Sequence, residues 1–178
     1  LTNNTVSIDL PLEPTLTGMG EITSWVINAS LPSGVSFGTN NGTIYGTPTE
    51  LWNRTSYMVW ANNTGGFSIA YLNITVVDEL PTLSYPLAAL NLTNNTVSSD
   101  LPLNATLTGP GEITSWAINA SLPSGLSFGT TNGTIYGTPT ELWNQTAYTV
   151  WANNSGGSSA AYLNITVVDQ VPALSYSP

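Results

Sequence analysis

The stretch Leu31–Asp78 reads LPSGVSFGTNNGTIYGTPTELWNRTSYMVWANNTGGFSIAYLNITVVD. Its apolar residues fall in short alternating runs that Gly, Pro and Asn interrupt, and no segment keeps a helical period over a useful length. In Tyr71–Val77 the inward candidates Leu72, Ile74 and Val76 alternate with polar or aromatic neighbours, as in a strand that is buried on one face. The stretch therefore predicts a protein made of short β-strands.

Similar patterns predict short strands across the first 80 or so residues. Their bounds are Thr5–Leu10, Thr15–Thr17, Ile22–Asn28, Gly34–Phe37, Thr43–Tyr45, Ser56–Ala61 and Ser68–Val77. Strands of this length and spacing indicate an antiparallel β-sandwich. Asn41-Gly42, between two of them, is a strong signal for a two-residue hairpin loop, because both central residues of that turn need positive φ.

The same unit occurs a second time further along the chain. Leu1–Leu87 aligns with Leu92–Pro178 without a gap, and 69 of the 87 positions are identical. A repeat of about 90 residues is long enough for one small domain. We therefore predict an all-β protein of two tandem domains: repeat 1 over residues 1–79, a Pro-containing linker over 80–91, repeat 2 over 92–170, and the start of the next linker over 171–178.

The stretch that joins the two copies, DELPTLSYPLAAL from Asp78 to Leu90, contains most of this linker and leaves two structural options open. Pro81 and Pro86 stiffen it toward an extended course, which favours a semi-rigid joint. Alternatively, an apolar extended stretch that ends one unit completes a sheet edge in the next. Head-to-tail contacts of that kind do not close and can build a polymer.

Four motifs resemble a known family. LPSGVSF, NGTIYGTPT, SYMVWANNTGGF and LNITVVD are similar to He-PIG type Ig-like repeats, which are related to cadherin-like and dystroglycan-type domains, and Leu31–Asp78 and Leu122–Asp169 both carry them. The resemblance implies Ig-like sandwiches in a tandem array on a prokaryotic, in our interpretation archaeal, cell surface or filament, and it implies no activity. Trp60 and Trp151 depart from the family, which usually has a small polar residue there.

Asparagine is concentrated in N-glycosylation acceptor triplets of the form N-x-S/T. With 19 Asn and 45 Ser or Thr in 178 residues, random placement would give about 5 triplets. The chain has 14: Asn3, Asn28, Asn41, Asn53, Asn62, Asn73, Asn91, Asn94, Asn104, Asn119, Asn132, Asn144, Asn153 and Asn164. We expect N-linked glycans on several of them, on outward faces and turns of an extracellular protein.

The charged residues exclude several classes of function. Ten acidic residues and one basic residue, Arg54, give a net charge of −9. Nucleic acid and anionic membranes need a cationic surface, so neither is an expected partner. The absence of His, Cys and Lys removes most nucleophile–base pairs and most metal ligands, so we predict no enzyme, no catalytic residue and no cofactor. No apolar run of about 18 residues is present, so we expect no membrane insertion within this segment.

Calcium is the metal that the sequence leaves open. Asp78-Glu79, with Asp169-Gln170 in the second copy, resembles the acidic residues between domains of cadherin-like arrays. Calcium usually needs several carboxylates, and Glu79 is replaced by Gln170. We therefore expect solvated charges here and predict no metal site.

One apolar cluster distinguishes the first copy from the second. The predicted register places its members on the outward faces of a hairpin: Met58, Trp60, Phe67, Ile69 and Tyr71, with Trp151 as the large residue of the second copy. A contiguous exposed apolar patch typically marks a contact surface. The alternative is that a strand, loop or linker of the same domain covers it.

These patterns predict a non-enzymatic, extracellular structural protein. The main hypothesis is a heavily N-glycosylated filament or cell-surface array component that self-associates head to tail. The first alternative is an adhesin-type binding module that recognises carbohydrate or another surface, and the second is a passive stalk spacer. Because the chain begins at a repeat boundary, we expect it to be a processed or excised part of a secreted protein.

Overall fold

The computed structural model describes residues 1–18, 20–109 and 111–176. Every regular element in these ranges is a β-strand. The strands are β1 (Ser24–Ile27), β2 (Val35–Phe37), β3 (Ile44–Gly46), β4 (Trp52–Asn63), β5 (Gly66–Val76), β6 (Thr82–Ser84), β7 (Ala89–Thr93), β8 (Thr106–Thr108), β9 (Ser115–Ile118), β10 (Leu126–Phe128), β11 (Ile135–Gly137), β12 (Trp143–Asn154) and β13 (Gly157–Val168).

The chain forms two compact units, unit 1 over Leu1–Glu79 and unit 2 from Leu80 onward. In unit 1, β1, β4 and β5 form an antiparallel sheet in the order β1-β4-β5. The β2–β3 hairpin lies opposite, and Leu12 pairs with Ile44 beside it. Two β-layers around one interior make this unit a sandwich.

The predicted alternation of inward and outward residues is confirmed. Tyr57, Val59 and Ala61 of β4 are buried, and so are Ile74 and Val76 of β5. In unit 2 the equivalent alternate residues of β12 and β13 are buried as well. Period-two patterning therefore fixes which face of each long strand packs inward.

Three local predictions are wrong in detail. Thr15–Thr17 forms no strand, because no strand among the described residues pairs with it, whereas the identical Thr106–Thr108 pairs with β6. Thr5–Leu10 is not a strand, because Asn4 takes a φ of 55° and the Asp9 amide donates to the Ser7 hydroxyl, which turns the chain. The Asn41-Gly42 hairpin exists, but Phe37 pairs with Ile44, so its loop is longer than two residues.

Gly42 is required there for two reasons. Its φ is +72°, and a Cβ would overlap the ring of Trp25. Glycine both adopts the left-handed conformation and lets the loop lie on the indole.

Unit 2 has a larger main sheet, in the order β7-β13-β12-β9. Its additional strand β7 pairs in parallel with β13, with Leu90 beside Ile165 and Leu92 beside Val167. On the opposite layer β6 pairs with β8, β10 pairs with β11, and Leu103 pairs with Ile135.

Residues 80–91, which we predicted as a linker, lie in the fold of unit 2. Leu83 of β6 and Leu90 of β7 are among the buried residues of its core. Their apolar side chains alternate with exposed neighbours, so an extended course brings them into the interior. This arrangement corresponds to the sheet-completing option rather than to a semi-rigid joint.

The two cores differ in continuity. Unit 2 has one cluster of buried residues, which runs from Leu83 and Leu90 through Tyr148 to Val167. In unit 1 the described residues divide into two clusters, one around Tyr57 and Ile74 and the other around Trp25 and Val59. Half-buried Ile27, Phe37 and Leu72 pack against both clusters of unit 1.

Candidate functional site

The fourteen acceptor asparagines all lie within the described residues, and none of them is buried. Nine are exposed: Asn28, Asn41, Asn53, Asn73, Asn91, Asn104, Asn119, Asn132 and Asn144. Five are half-buried: Asn3, Asn62, Asn94, Asn153 and Asn164. This distribution is compatible with sugars at many positions, and the glycosylation itself stays a prediction.

Several acceptors use their amide oxygen to fix the backbone. The oxygen of Asn28 accepts from the Met58 amide at 2.9 Å, and that of Asn119 accepts from the Thr149 amide at 3.0 Å. Asn41 and Asn132 accept in the same way from the amides two residues further on. These bonds orient the side chain through the oxygen, whereas a glycan would be attached to the nitrogen.

Four acceptors are held differently. The amide nitrogens of Asn62 and Asn153 donate to the Ser24 and Ser115 hydroxyls at 3.1 and 3.0 Å, so a glycan there would compete with an existing bond. The side-chain oxygens of Asn3 and Asn94 are buried and find no hydrogen-bond partner within the described part of the chain.

The register of β4 and β5 brings the predicted apolar cluster together. Met58 is opposite Tyr71 and Trp60 is opposite Ile69, while Phe67 follows opposite Asn62. Phe67, Ile69 and Tyr71 are exposed, whereas Met58 and Trp60 are half-buried. We call these five residues the outer patch.

Trp151, the counterpart of Trp60, lies on a less apolar surface. It sits between Ala117 and Ala160 in the register of unit 2 and is half-buried. Unit 1 has Val26 and Ile69 at those positions. The two units therefore share the indole but differ in what surrounds it.

The acidic residues of the GTPTE motif have a structural role. The Glu50 carboxylate accepts from the Ser33 amide at 2.7 Å, and Glu141 accepts from the Ser124 amide at 2.6 Å. These hydrogen bonds lower the pKa of both carboxyl groups. Each carboxylate links two loops by a hydrogen bond. This structural role explains the glutamate of the motif, and no catalytic role is needed.

The described residues show no arrangement of side chains that would support calcium binding. Asp78 is buried and Glu79 is exposed, while Asp169 and Gln170 are exposed. Within the described ranges no three His, Cys, Asp or Glu side chains converge as a metal site would require. The absence of a calcium site stays a prediction.

A groove in unit 1 was missed by the sequence reasoning. It runs between β5 and the segment Leu12–Gly18, and it consists of two adjoining cavities of about 330 and 360 Å³. The signal that could have located it is the recurrence of LSY, at residues 83–85 and again at 174–176.

The fold and its surfaces define a class: tandem Ig-like β-sandwich domains. The family described as "Putative Ig domain" matches residues 1–77 and 80–168, and the chain belongs to that family. The second match begins at the same residue as unit 2.

The relatives of the chain include surface proteins of bacteria. A "Serine-rich adhesin for platelets" of Staphylococcus aureus strain MRSA252 is 30% identical over 163 residues, which cover 88% of this chain and 12% of that protein. The protein of the same name from strain USA300 is also 30% identical, over 88% of this chain and 7% of its own length. The chain thus spans only a small part of these relatives.

Among solved structures, the extracellular cadherin domains 1–4 of protocadherin gamma B7 align with a TM-score of 0.40 and 16% identity. The alignment covers 86% of this chain and 43% of that one. The described residues contain no helix with the length and apolar character needed to span a membrane. The family and the relatives place this chain in an extracellular, cell-surface protein.

Proposed function

We propose that the chain is a non-enzymatic structural component of an N-glycosylated filament or cell-surface array, and that it assembles head to tail. The observation that carries this proposal is that residues 80–93 belong to the fold of the second unit. This stretch follows the first repeat and supplies β6 and β7, two strands of the next unit. A repeat protein whose units are completed in this way is suited to linear extension.

The glycan acceptors support the same conclusion. Nine of the fourteen are exposed and lie on both units. Formal charge is sparse, since only 6% of residues are charged. Soluble surfaces usually carry about a quarter charged residues, so attached sugars would supply the missing hydration.

The test uses native material from the cell surface. Antibody-labelled electron microscopy should show this chain in regular fibres or a lattice, and glycopeptide mass spectrometry should find sugars on several of the fourteen asparagines. Isolated rods would contradict assembly, and unmodified asparagines throughout would contradict the glycoprotein part of the proposal.

A second function, adhesion, is favoured by the outer patch. Phe67 and Tyr71 are exposed aromatic rings on one face of the sheet, and such rings stack on sugars or pack on proteins. The name of the Staphylococcus aureus relatives also denotes an adhesin. A glycan array separates the two functions, because an adhesin would lose its carbohydrate binding in Trp60→Ala or Tyr71→Ala, whereas a structural subunit would show none to lose.

A further inference from the structure

The outer patch shares its face of the sheet with acceptor asparagines. In β4, Trp60 stands two residues before Asn62, and in β5, Tyr71 stands two residues before Asn73. Residues two apart in a strand point to the same side of the sheet and lie about 6.6 Å from each other. Each of these acceptors is therefore the next outward neighbour of a large aromatic ring on its own strand.

Acceptors lie at both ends of the patch. At one end, Asn62 is opposite Phe67. At the other end, the backbone amide of Asn28 donates to the Met58 carbonyl at 3.1 Å, and the side-chain oxygen of Asn28 accepts from the Met58 amide at 2.9 Å. Met58 is in turn opposite Tyr71, so Asn28 and Tyr71 flank Met58 in one row across the sheet.

The side chain of Asn73 is restrained through its oxygen. That oxygen accepts a hydrogen bond from the Ser56 hydroxyl at 2.6 Å, and Asn73 is exposed. A sugar is attached to the nitrogen, so the bond to Ser56 orients the side chain without engaging the atom that is modified. Asn62, in contrast, donates from its nitrogen to the Ser24 hydroxyl. Asn73 thus combines a restrained side chain with a position next to Tyr71.

The ring of Tyr71 is well suited to a sugar. Tyr71 is 74% exposed, although it lies among the apolar residues of the outer patch. The C–H face of a sugar ring is apolar and packs on aromatic rings, while its hydroxyl groups stay in water. The outward positions of β4 from Ser56 to Asn62 and of β5 from Phe67 to Asn73 carry no charge. A neutral carbohydrate therefore fits this face without leaving a charge unpaired.

Unit 2 repeats the ring and the acceptor on a less apolar face. Tyr162 stands two residues before Asn164 in β13, and it is 73% exposed. The residue opposite Tyr162 is Thr149, whereas Met58 is opposite Tyr71. The two units therefore offer a matched pair of sites that differ in the surface around the ring.

We propose that the first sugar of an N-linked glycan on Asn73 packs on the ring of Tyr71 and covers the outer patch. The first sugar on Asn164 packs on Tyr162 in the same way. The occupant of the patch is thus a carbohydrate that the chain itself carries. This inference rests on the proposed glycosylation and names the surface on which one glycan lies.

The experiment uses the 178-residue chain produced in cells that attach N-linked sugars, with occupancy at Asn73 measured by glycopeptide mass spectrometry. Thr75→Val removes the acceptor triplet but keeps Asn73 and its hydrogen bond to Ser56. Nitration of Tyr71, measured on the resulting peptides, should be several-fold faster in this variant than in the glycosylated wild type, because the ring is then uncovered.

The matched control is Thr166→Val in unit 2. Thr75 and Thr166 are both half-buried and are the third residues of their acceptor triplets. Thr166→Val should accelerate the nitration of Tyr162 and leave that of Tyr71 unchanged, whereas Thr75→Val should do the reverse. A general change in stability or in reagent access would affect both rings in either variant.

A second measurement distinguishes packing on the ring from mere crowding near it. Sugar protons that lie over an aromatic ring resonate upfield and show nuclear Overhauser effects to that ring. The glycoprotein with isotope-labelled sugars should show both effects for the first sugar on Asn73. Tyr71→Ser keeps the acceptor triplet, so the sugar should remain while its resonances return to ordinary values.

The outcomes separate this inference from the proposed function. Equal nitration of Tyr71 in the glycosylated wild type and in Thr75→Val would overturn the packing and leave glycosylation standing, as would sugars at other acceptors but none on Asn73. Slow nitration in Thr75→Val that accelerates on dilution would overturn it in favour of a second copy on the patch. Binding of the glycosylated chain to a glycan array through Tyr71 would overturn it in favour of adhesion. Native material without sugar on any of the fourteen acceptors would contradict the glycoprotein part of the proposed function as well.

Discussion

The Tyr85 hydroxyl donates a hydrogen bond to the backbone carbonyl of Gly133, 48 residues further along the chain. This bond secures the segment before β7 to the loop that packs on Trp116. It is the polar end of an interaction whose apolar part is Leu83.

Removing the Tyr85 hydroxyl should destabilise unit 2 modestly. The net contribution of one hydrogen bond to stability is about 0.5–1.5 kcal/mol. Tyr85→Phe should therefore lower the free energy of unfolding of unit 2, measured by urea denaturation, by about 0.5–1.5 kcal/mol. The control is Tyr176→Phe in dilute monomeric protein, because Tyr176 is 88% exposed and should change nothing. Equal losses in both variants would show that the bond to Gly133 is not formed.

Alkaline pH should loosen the same segment. Burial raises the pKa of Tyr85 to about 12, whereas a free phenol ionises near pH 10. The folded state thus favours the neutral phenol, so this contribution is complete below about pH 10 and is lost as pH rises toward about 12. Tyr85→Phe should flatten this loss of stability, and an unchanged profile in the variant would contradict the assignment.

Truncating Leu83 should be far more damaging than truncating its counterpart in the tail. Leu83 is buried in the core of unit 2, and core Leu→Ala substitutions cost about 2–5 kcal/mol. Leu174→Ala should leave monomer stability within about 0.5 kcal/mol, as at other exposed sites. Chemical denaturation of both variants measures the difference, and similar losses would place Leu83 outside the core.

Glycan occupancy should be lower at asparagines whose side-chain nitrogen already donates a hydrogen bond. Asn28 and Asn119 engage the backbone through their oxygens, whereas Asn62 and Asn153 donate from the nitrogen that would carry the sugar. We therefore expect higher occupancy at Asn28 and Asn119 in glycopeptide mass spectrometry. Occupancy at Asn62 and Asn153 that equals or exceeds theirs would show that these bonds do not limit modification.

Much of the fold could be predicted because strand alternation is a local property. Tyr57, Val59 and Ala61 follow a period of two, and the pattern alone placed them inward. Thr5–Leu10 failed because Asn4 adopts a positive φ that alternation does not encode. The five members of the outer patch were predicted as a set because they lie at alternate positions of two paired strands, with Met58 opposite Tyr71 and Trp60 opposite Ile69, and their role as an interface stays a prediction.

The place of residues 80–91 in unit 2 could not be predicted from local patterns. Leu83 and Tyr85 bond to Ser159 and Gly133, which are 76 and 48 residues away. The proline-containing sequence of residues 80–91 also favours both an exposed joint and an added strand, and only the positions of the other strands decide between them.

The most direct test of the account is hydrogen–deuterium exchange of the dilute monomer. Ala70–Val76 and Ala161–Val167 have the identical sequence AYLNITV, so their intrinsic exchange rates match, and the differing preceding residues Ile69 and Ala160 distinguish the peptides by mass. In unit 2 residues 164–168 of β13 pair with β7, and the Asn164 amide donates to the Ala88 carbonyl. In unit 1 the corresponding parallel pairing among the described residues is a single bridge between Thr2 and Val77. The account predicts stronger protection of 161–167, and a gain of protection at 70–76 when residues 80–91 are copied in front of Leu1. Equal protection of the two peptides in the unmodified monomer would contradict the claim that residues 80–93 complete unit 2.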